Sequence, residues 1–563
     1  MRKSSSAQAA GAARASSRQP VRRLRARAGH LPAQYLEGGD GERPLFDYRR
    51  EDFQELVEET MRQAKALGAT AVVAEVSESS GLALTVRKGK VETIEQTRDK
   101  GLGVSVYVGQ RRGHASTSDF SPQALARTVR AAYDIASITG EDPFAGLPDE
   151  RRLARGENDV SGLALFQPWH VSVPQAIELA REIEAASFAV SPQIANSDGA
   201  SVSVGHGHFL SANSLGFCDG FAHSRHTLSV GPIARRGRDM QRDGWYSSAR
   251  SPADLASPEA LGRYAAERAL SRLGARKLST RKVPVLFEAP LALGLLGSLV
   301  QAVSGSALYR QASFLVDSLG KRIFPNHIDI VEDPFIPGAM GSGPFDDEGV
   351  ATAARDVVKG GRLKGYFLSS YSARKLGMQT TGNAGGSHNL RLSSRLTARG
   401  DNFARMLKKM GTGLLGTEVM GQGVNYVTGD YSRGDIVVRS RKCSEKVPSV
   451  ASGVTIWKTD TAWKPSRMQP ISSGRGNLRK SRMIIVPRCV ASPQKQASVR
   501  MQCSLSCSAE ENPSDTTMCS RSPDGSSTRM LPAAAWNSSI TRCRKPRHSA
   551  SMSLGLFRNA VMP

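Results

Sequence analysis

The sequence predicts an α+β protein in which antiparallel sheets are flanked by helices. Three observations predict it. Helix-period stretches bracket a meander of short β-like runs; two long β-like runs joined by a tight bend follow; and a strand leading straight into an apolar helix opens the last third.

Folded sequence begins near Phe46, after an Arg-, Ala- and Ser-rich stretch, residues 1–45, that reads as a disordered basic extension with no apolar core of a secretory signal. Phe53, Leu56, Val57, Met61, Ala64 and Leu67 mark an amphipathic helix stopped by Gly68. β-like runs follow at 71–76, 82–87, 91–96 and 103–108, and Lys88-Gly89-Lys90 supplies a hairpin turn. Ser121-Pro122 opens a second helix with Leu125, Val129, Ala132 and Ala136 inward. These elements define an N-terminal α+β domain, 46–150. Gly101-Leu102-Gly103 precedes a strand instead of opening a helix, which excludes a phosphate loop.

A middle α+β segment, 151–277, holds a helix around 174–188 and two long β-like runs, 200–212 and 217–230, joined at Asn213-Ser214-Leu215-Gly216. His206 and His208 share a strand face, and with His226 across a hairpin they could chelate a metal. No carboxylate or thiol is clustered with them, so cross-sheet hydrogen bonding is the reading the residues favour.

The β-rich C-terminal domain, 278–434, opens with a strand at 283–287 and a helix whose Leu291, Leu295, Leu296, Leu299, Val300 and Val303 form the expected buried face. Gly294, Gly297, Ser298, Gln301 and Ser304 make the other face small or polar. No His, Cys, Asp or Glu lies between Glu288 and Asp317. Asp346-Asp347-Glu348 stand consecutively in a Gly-rich loop, whereas a calcium loop needs acids at alternate positions, so this loop reads as a positioning turn.

Charge and cysteines separate the body from its ends. The whole chain carries +25, but 1–45 hold 9 Lys/Arg against 3 Asp/Glu and 435–563 hold 21 against 7, leaving +5 for 46–434. That balance is not a nucleic-acid footprint. No apolar run approaches the ~18–20 residues that span a bilayer, so no membrane partner is expected. Cys218 is the body's one thiol, which fits a reducing cytoplasm.

The stretches RKGKVETIEQTRDKGLGVSVYVGQRRGHASTSDFSPQAL, PFDDEGV, SYSARKLG, TGNAGG and MGQGVNYVTGDYSRG resemble the PmbA/TldE proteins. These form one of two subunits of the TldD/TldE metalloprotease, once called modulators of DNA gyrase. The resemblance implies a two-lobed PmbA/TldD-like fold and a peptide-hydrolysing heterodimer acting on unfolded and small peptides, such as peptide-antibiotic precursors. In the sister subunit the comparable helix carries a His-Glu-x-x-x-His zinc run. There the two His ligate zinc and the Glu can serve as general base; here the run aligns with Gly297-Ser298-Leu299-Val300-Gln301-Ala302, so the zinc-helix positions Gly297, Ser298 and Ala302 are degenerate and both ligand positions are empty. The resemblance thus implies no cofactor on this chain, zinc in a TldD-like partner, and catalysis in trans. It also implies that Asn383, Gly385 and Gly386 present backbone to an extended peptide, with Arg374 nearby; plain turns remain the competing reading of that loop. A gyrase regulator without enzymatic activity is the alternative function.

The resemblance stops at Gly434. Beyond it Ser, Arg, Cys, Met and Pro rise together and no sustained periodicity returns, so 435–563 read as a frameshifted, disordered tail. The spacing Cys503-x3-Cys507-x11-Cys519 matches no usual zinc finger.

Overall fold

The computed structural model describes residues 44–155, 160–275, 278, 282–421 and 423–433, and the backbone of 434–441, 445–456, 483–485 and 505–506. The expectations for 1–43 and for the rest of the tail lie outside these residues.

The chain opens with α1 (Arg50–Ala66), β1 (Ala71–Arg87), β2 (Lys90–Val108), β3 (Arg111–Thr117) and α2 (Pro122–Ile138). Then come α3 (Val173–Phe188), β4 (Ile194–Asn213), β5 (Cys218–Asp219), β6 (Ala222–Arg236), β7 (Asp239–Arg242), β8 (Trp245–Ala249) and α4 (Pro258–Ser271). All eight strands join one antiparallel sheet, with order β3-β2-β1-β4-β6-β7 and with β5 and β8 alongside β4 and β6. The segments expected as 46–150 and 151–277 therefore share a sheet: β1 pairs with β4 from Val73↔Asn213 to Val86↔Ala200.

The four β-like runs at 71–108 are two continuous strands. The polar Ser77-Glu78-Ser79-Ser80-Gly81 reads as a break, yet β1 passes through it because Glu78 is satisfied inside: it accepts the N–H groups of Asp47 and Tyr48 and contacts His208. The turn Lys88-Gly89 has φ of 51° and 71°, the two positive values a tight two-residue hairpin loop demands.

Even-numbered residues of β1 face the helices. Val72, Ala74 and Val76 pack under α1 and α2 with Phe53, Val57, Val129 and Ala132; Leu82, Leu84 and Val86 pack under α3 and α4 with Ala176, Ala180, Ile183 and Leu261. The odd-numbered face, with Glu75, points away from the helices.

The third segment runs β9 (Val285–Phe287), α5 (Ala289–Ala302), α6 (Gly305–Tyr309), β10 (Ile328–Glu332), β11 (Arg355–Lys359), β12 (Arg362–Leu363), α7 (Ser370–Lys375), β13 (Gly386–Ser387) and β14 (Leu390–Ser394). It closes with α8 (Phe403–Met410), β15 (Gly413–Met420), β16 (Val424–Asn425), β17 (Asp430–Arg441), β18 (Glu445–Ile456), β19 (Met483–Ile485) and β20 (Leu505–Ser506). A four-stranded sheet, β12-β11-β10-β14, packs with α5 around Leu296, Leu299, Val300, Val303, Ile330, Val357 and Leu368. In the second sheet β15 pairs parallel with β9 and antiparallel with β17. The backbone of β17 crosses the expected boundary at 434 and runs on to Arg441. On α5 the buried face is Ala292, Leu296, Leu299, Val300 and Ala302, while Leu291 and Leu295, expected inside, are half-buried.

Candidate functional site

The third segment is fixed to the odd-numbered face of the large sheet. Phe345 sits in an aromatic cluster with Phe217, Phe221 and Phe209, at ring-centroid distances of 5.1, 5.7 and 6.2 Å. Buried Arg250 donates to the carbonyls of Leu165, Ser224, Ala339 and Met340, tying the middle segment to the 339–340 turn. Arg268 on α4 pairs with Glu288, at the start of α5, and with Asp243; Arg272 reaches Asp243 at 2.6 Å and Glu418 at 2.5 Å.

These anchors set the loop 344–350 over β1. Asp346 is buried and accepts the N–H groups of Glu348 (3.0 Å), Val350 (2.9 Å) and Ala384 (2.9 Å). Glu348 accepts the N–H of Ser370 at 2.8 Å. Two of the three acids thus shape the loop. The third, Asp347, is exposed and lies against the Cα of Gly385, whose φ of +88° and missing side chain make room for it. Although the residue as a whole is exposed, its carboxyl is turned in against Gly385, and the desolvation there, reinforced by Glu348, pushes it up to about 6, with His388 pulling the other way. Across from it, desolvation and then Asp347 push Glu75 up to about 7. Glu75 and Asp347 bring an electronegative, partly protonated pair to the join between sheet and loop. No local pattern announces this approach, because the partners lie on β1 and on a loop far along the chain.

Asn383 is buried at the centre of a polar knot. Its amide nitrogen donates to Glu332 Oε1 and to the Gly386 carbonyl, and its oxygen accepts from Arg355 Nη2 and Thr381 Oγ1. Arg355 also donates to Glu332 at 2.6 Å, and the His388 N–H donates to Glu332 at 2.7 Å. The Gly386 N–H is taken by the Asn383 carbonyl, and Gly386-Ser387 forms β13, paired with Ser506-Leu505. Arg374 stands apart from this knot: its guanidinium donates to the carbonyls of Phe144, Gly146 and Leu147, clamping α7 to the loop after α2. Tyr371 donates to Asp142 at 2.7 Å in the same clamp. The structure therefore brings Asn383, Gly385 and Gly386 together and gives the Arg374 side chain to the join.

On α5, Gly297 and Ser298 are half-buried and Ala302 is buried, with the Ser298 hydroxyl donating to the Gly294 carbonyl at 3.0 Å. None of the three offers a metal-binding atom of the His, Cys or carboxylate kind. The three histidines that could share a metal each turn a ring nitrogen to another partner. His206 Nε2 accepts the Trp169 N–H at 3.1 Å, His226 Nε2 donates to the Gln167 carbonyl at 2.9 Å, and His208 meets Glu78 at 3.3 Å. With its Nε2 lone pair turned to Trp169, His206 cannot present that atom to a metal. Among the described residues no group of three or more His, Cys, Asp or Glu is arranged to hold a metal ion. Among them, too, no helix is long and apolar enough to cross a membrane.

The fold and its three-part order define a peptidase family. Residues 72–136, 166–273 and 280–436 match the domain 1, central domain and C-terminal domain of the PmbA/TldA metallopeptidases, and the chain belongs to that family, in its PmbA/TldE branch. It is similar to the Metalloprotease PmbA of Escherichia coli O157:H7, 46% identical over 386 residues that cover 69% of this chain and 84% of that one. Its structure is similar to that of a Bacteroides thetaiotaomicron protein named as a modulator of DNA gyrase, with TM-score 0.67, 25% identity, and 72% and 90% of the two chains covered. It also shares the fold of TldE from Thermococcus kodakarensis, with TM-score 0.61, 17% identity, and 70% and 90% covered.

Proposed function

We propose that this chain is the zinc-free subunit of a TldD/TldE-type metalloprotease in the cytoplasm, working on unfolded and small peptides. The observation that carries the reading is the composition of α5. A helix of a metallopeptidase domain has Gly297 and Ala302 where the resemblance implies zinc ligands, Ser298 where it implies a general base, and no His, Cys, Asp or Glu for the rest of its length. Zinc, when bound, supplies an activated water and polarises the scissile carbonyl; on this reading it belongs to a TldD-like partner. This chain contributes enclosure and a place for the peptide backbone.

The supports for that second role are the strand edge at Gly386-Ser387, which accepts an extended antiparallel segment, and the buried Asn383–Glu332–Arg355 knot that holds the loop rigid beneath it. Backbone pairing of this kind gives affinity with little sequence preference. Glu75 and Asp347 add negative charge for a peptide's amine or basic side chain.

A mixing experiment tests the reading. Peptide hydrolysis is expected from this chain together with a TldD-like protein and from neither alone. Hydrolysis by this chain alone, abolished by a chelator, would overturn it. A gyrase regulator without enzymatic activity is the second reading, favoured by the name of the Bacteroides relative; the charge of only +5 on 46–434 argues against a direct DNA contact.

A further inference from the structure

The strand edge at β13 carries a segment of this same chain. Leu505-Ser506, which is β20, pairs antiparallel with it, Ser506 opposite Gly386 and Leu505 opposite Ser387. The two strands form a sheet of their own, and β20 has no other strand beside it among the described residues. Backbone pairing asks little of side chains, so a stretch without strand-like periodicity can still supply it.

Which backbone groups take part follows from what the edge spends elsewhere. Gly386 gives its N–H to the Asn383 carbonyl at 3.1 Å, and its own carbonyl accepts the Asn383 amide at 2.9 Å. The His388 N–H goes to Glu332 at 2.7 Å. Opposed residues in an antiparallel pair alternate between exchanging both backbone bonds and exchanging none. With Gly386 and His388 committed, the exchanging pair is Ser387 and Leu505. Ser506 then aims its N–H and C=O away from β13. The loop cannot turn to offer a second set. Asn383 is held by Glu332, Arg355 and Thr381, and Gly385, at φ +88°, is packed against Asp347.

We propose that Leu505-Ser506 is a built-in competitor for the peptide edge, so that this chain blocks its own peptide contact until the segment is displaced. The inference rests on the reading of Gly386-Ser387 as a peptide-binding edge. An extended peptide laid on β13 needs the N–H and C=O of Ser387, and Leu505 already uses both, so segment and peptide exclude each other. The competition is set by tether and length. A segment of the same chain returns to the edge intramolecularly, at an effective concentration and not a free one. Its pairing is only two residues long, which a longer extended peptide can outbid by reaching further along the loop. The consequence is a threshold: short or weakly pairing peptides stay off the edge, and longer extended ones displace the segment.

Two proline substitutions in the full chain test it, because they differ only in the direction of the N–H they remove. Leu505→Pro deletes the N–H given to Ser387; Ser506→Pro deletes one that points away. The readouts are hydrogen exchange at the Ser387 amide and the affinity for a fluorescein-labelled, unstructured Ser/Thr/Val peptide. The parent should protect the Ser387 amide. Leu505→Pro should release it and tighten peptide binding roughly 5-fold, the worth of one ladder hydrogen bond. Ser506→Pro should leave both at the parent values. A Ser387 amide as open in the parent as in Leu505→Pro, or two prolines that act alike, would overturn the proposal. Peptide binding of equal strength in all three chains would overturn the blocking and leave the peptide edge standing. An amide that responds as expected while no chain binds peptide would instead sink the peptide edge, and the blocking with it.

Discussion

The Asp347 carboxylate lies where a β-carbon on Gly385 would have to go, and it is admitted because Gly385 has none and holds a φ of +88°. Gly385→Ala therefore meets two penalties: ~1–2 kcal/mol for a side chain at positive φ and ~1–3 kcal/mol for crowding a filled space. Gly377, at φ +63° with nothing near its absent β-carbon, isolates the first penalty. Denaturant unfolding of the two alanine variants should show Gly385→Ala as the more destabilised. Equal losses would mean that Asp347 moves aside freely.

The buried knot at Asn383 gives a second expectation. Asn383→Ala strips one partner each from Glu332 and Arg355, and leaving buried charged groups short of partners costs ~2–4 kcal/mol. The unfolding midpoint should fall accordingly. A variant with unchanged stability but weakened peptide binding would instead mark Asn383 as a direct peptide contact.

The buried histidines make a third expectation, about acid. Burial pushes His206 down to about 3 and His223 down to about 4, against ~6.5 in the unfolded chain. Their depressed values mean that the unfolded chain binds more protons below pH ~6.5. The stability they contribute is full above that pH and declines as pH falls toward 4 and then 3. Glu75 and Asp347, raised to about 7 and about 6, act in the opposite sense, since acid removes the carboxylate charges that desolvation, and then neighbouring acids, penalise. The difference between parent and His206→Gln separates the two, because Gln keeps an acceptor for the Trp169 N–H. Relative to the parent, that variant should gain on the order of 2 kcal/mol between pH 7.5 and pH 5, at 1.36 kcal/mol per pKa unit over 1.5 units. A pH-independent difference would contradict the burial of a neutral ring.

Much of the architecture was legible in residue periodicity, and its limits are physical. The helix from Phe53 to Ala64 and the turn Lys88-Gly89 follow from local spacing and stand where expected. Strand β1 was read as two pieces because Ser77 to Gly81 are polar, and only the distant His208 and the Asp47 and Tyr48 N–H groups explain how Glu78 is buried there. On α5 the apolar stripe is wider than its buried face, so leucine count alone misplaced Leu291 and Leu295 while Ala292 went inside. Among site residues, the turn-forming role of the acidic loop was readable from its spacing. The cradle of three carbonyls around Arg374 was not, because it is built by a loop more than two hundred residues away.

Native mass spectrometry tests the central claim most directly, by weighing this chain alone and in complex with a TldD-like protein at neutral pH with zinc supplied. The account predicts no retained zinc on the isolated chain and one zinc gained with the partner. Stoichiometric zinc held by this chain alone, and released on His206→Gln, would contradict it.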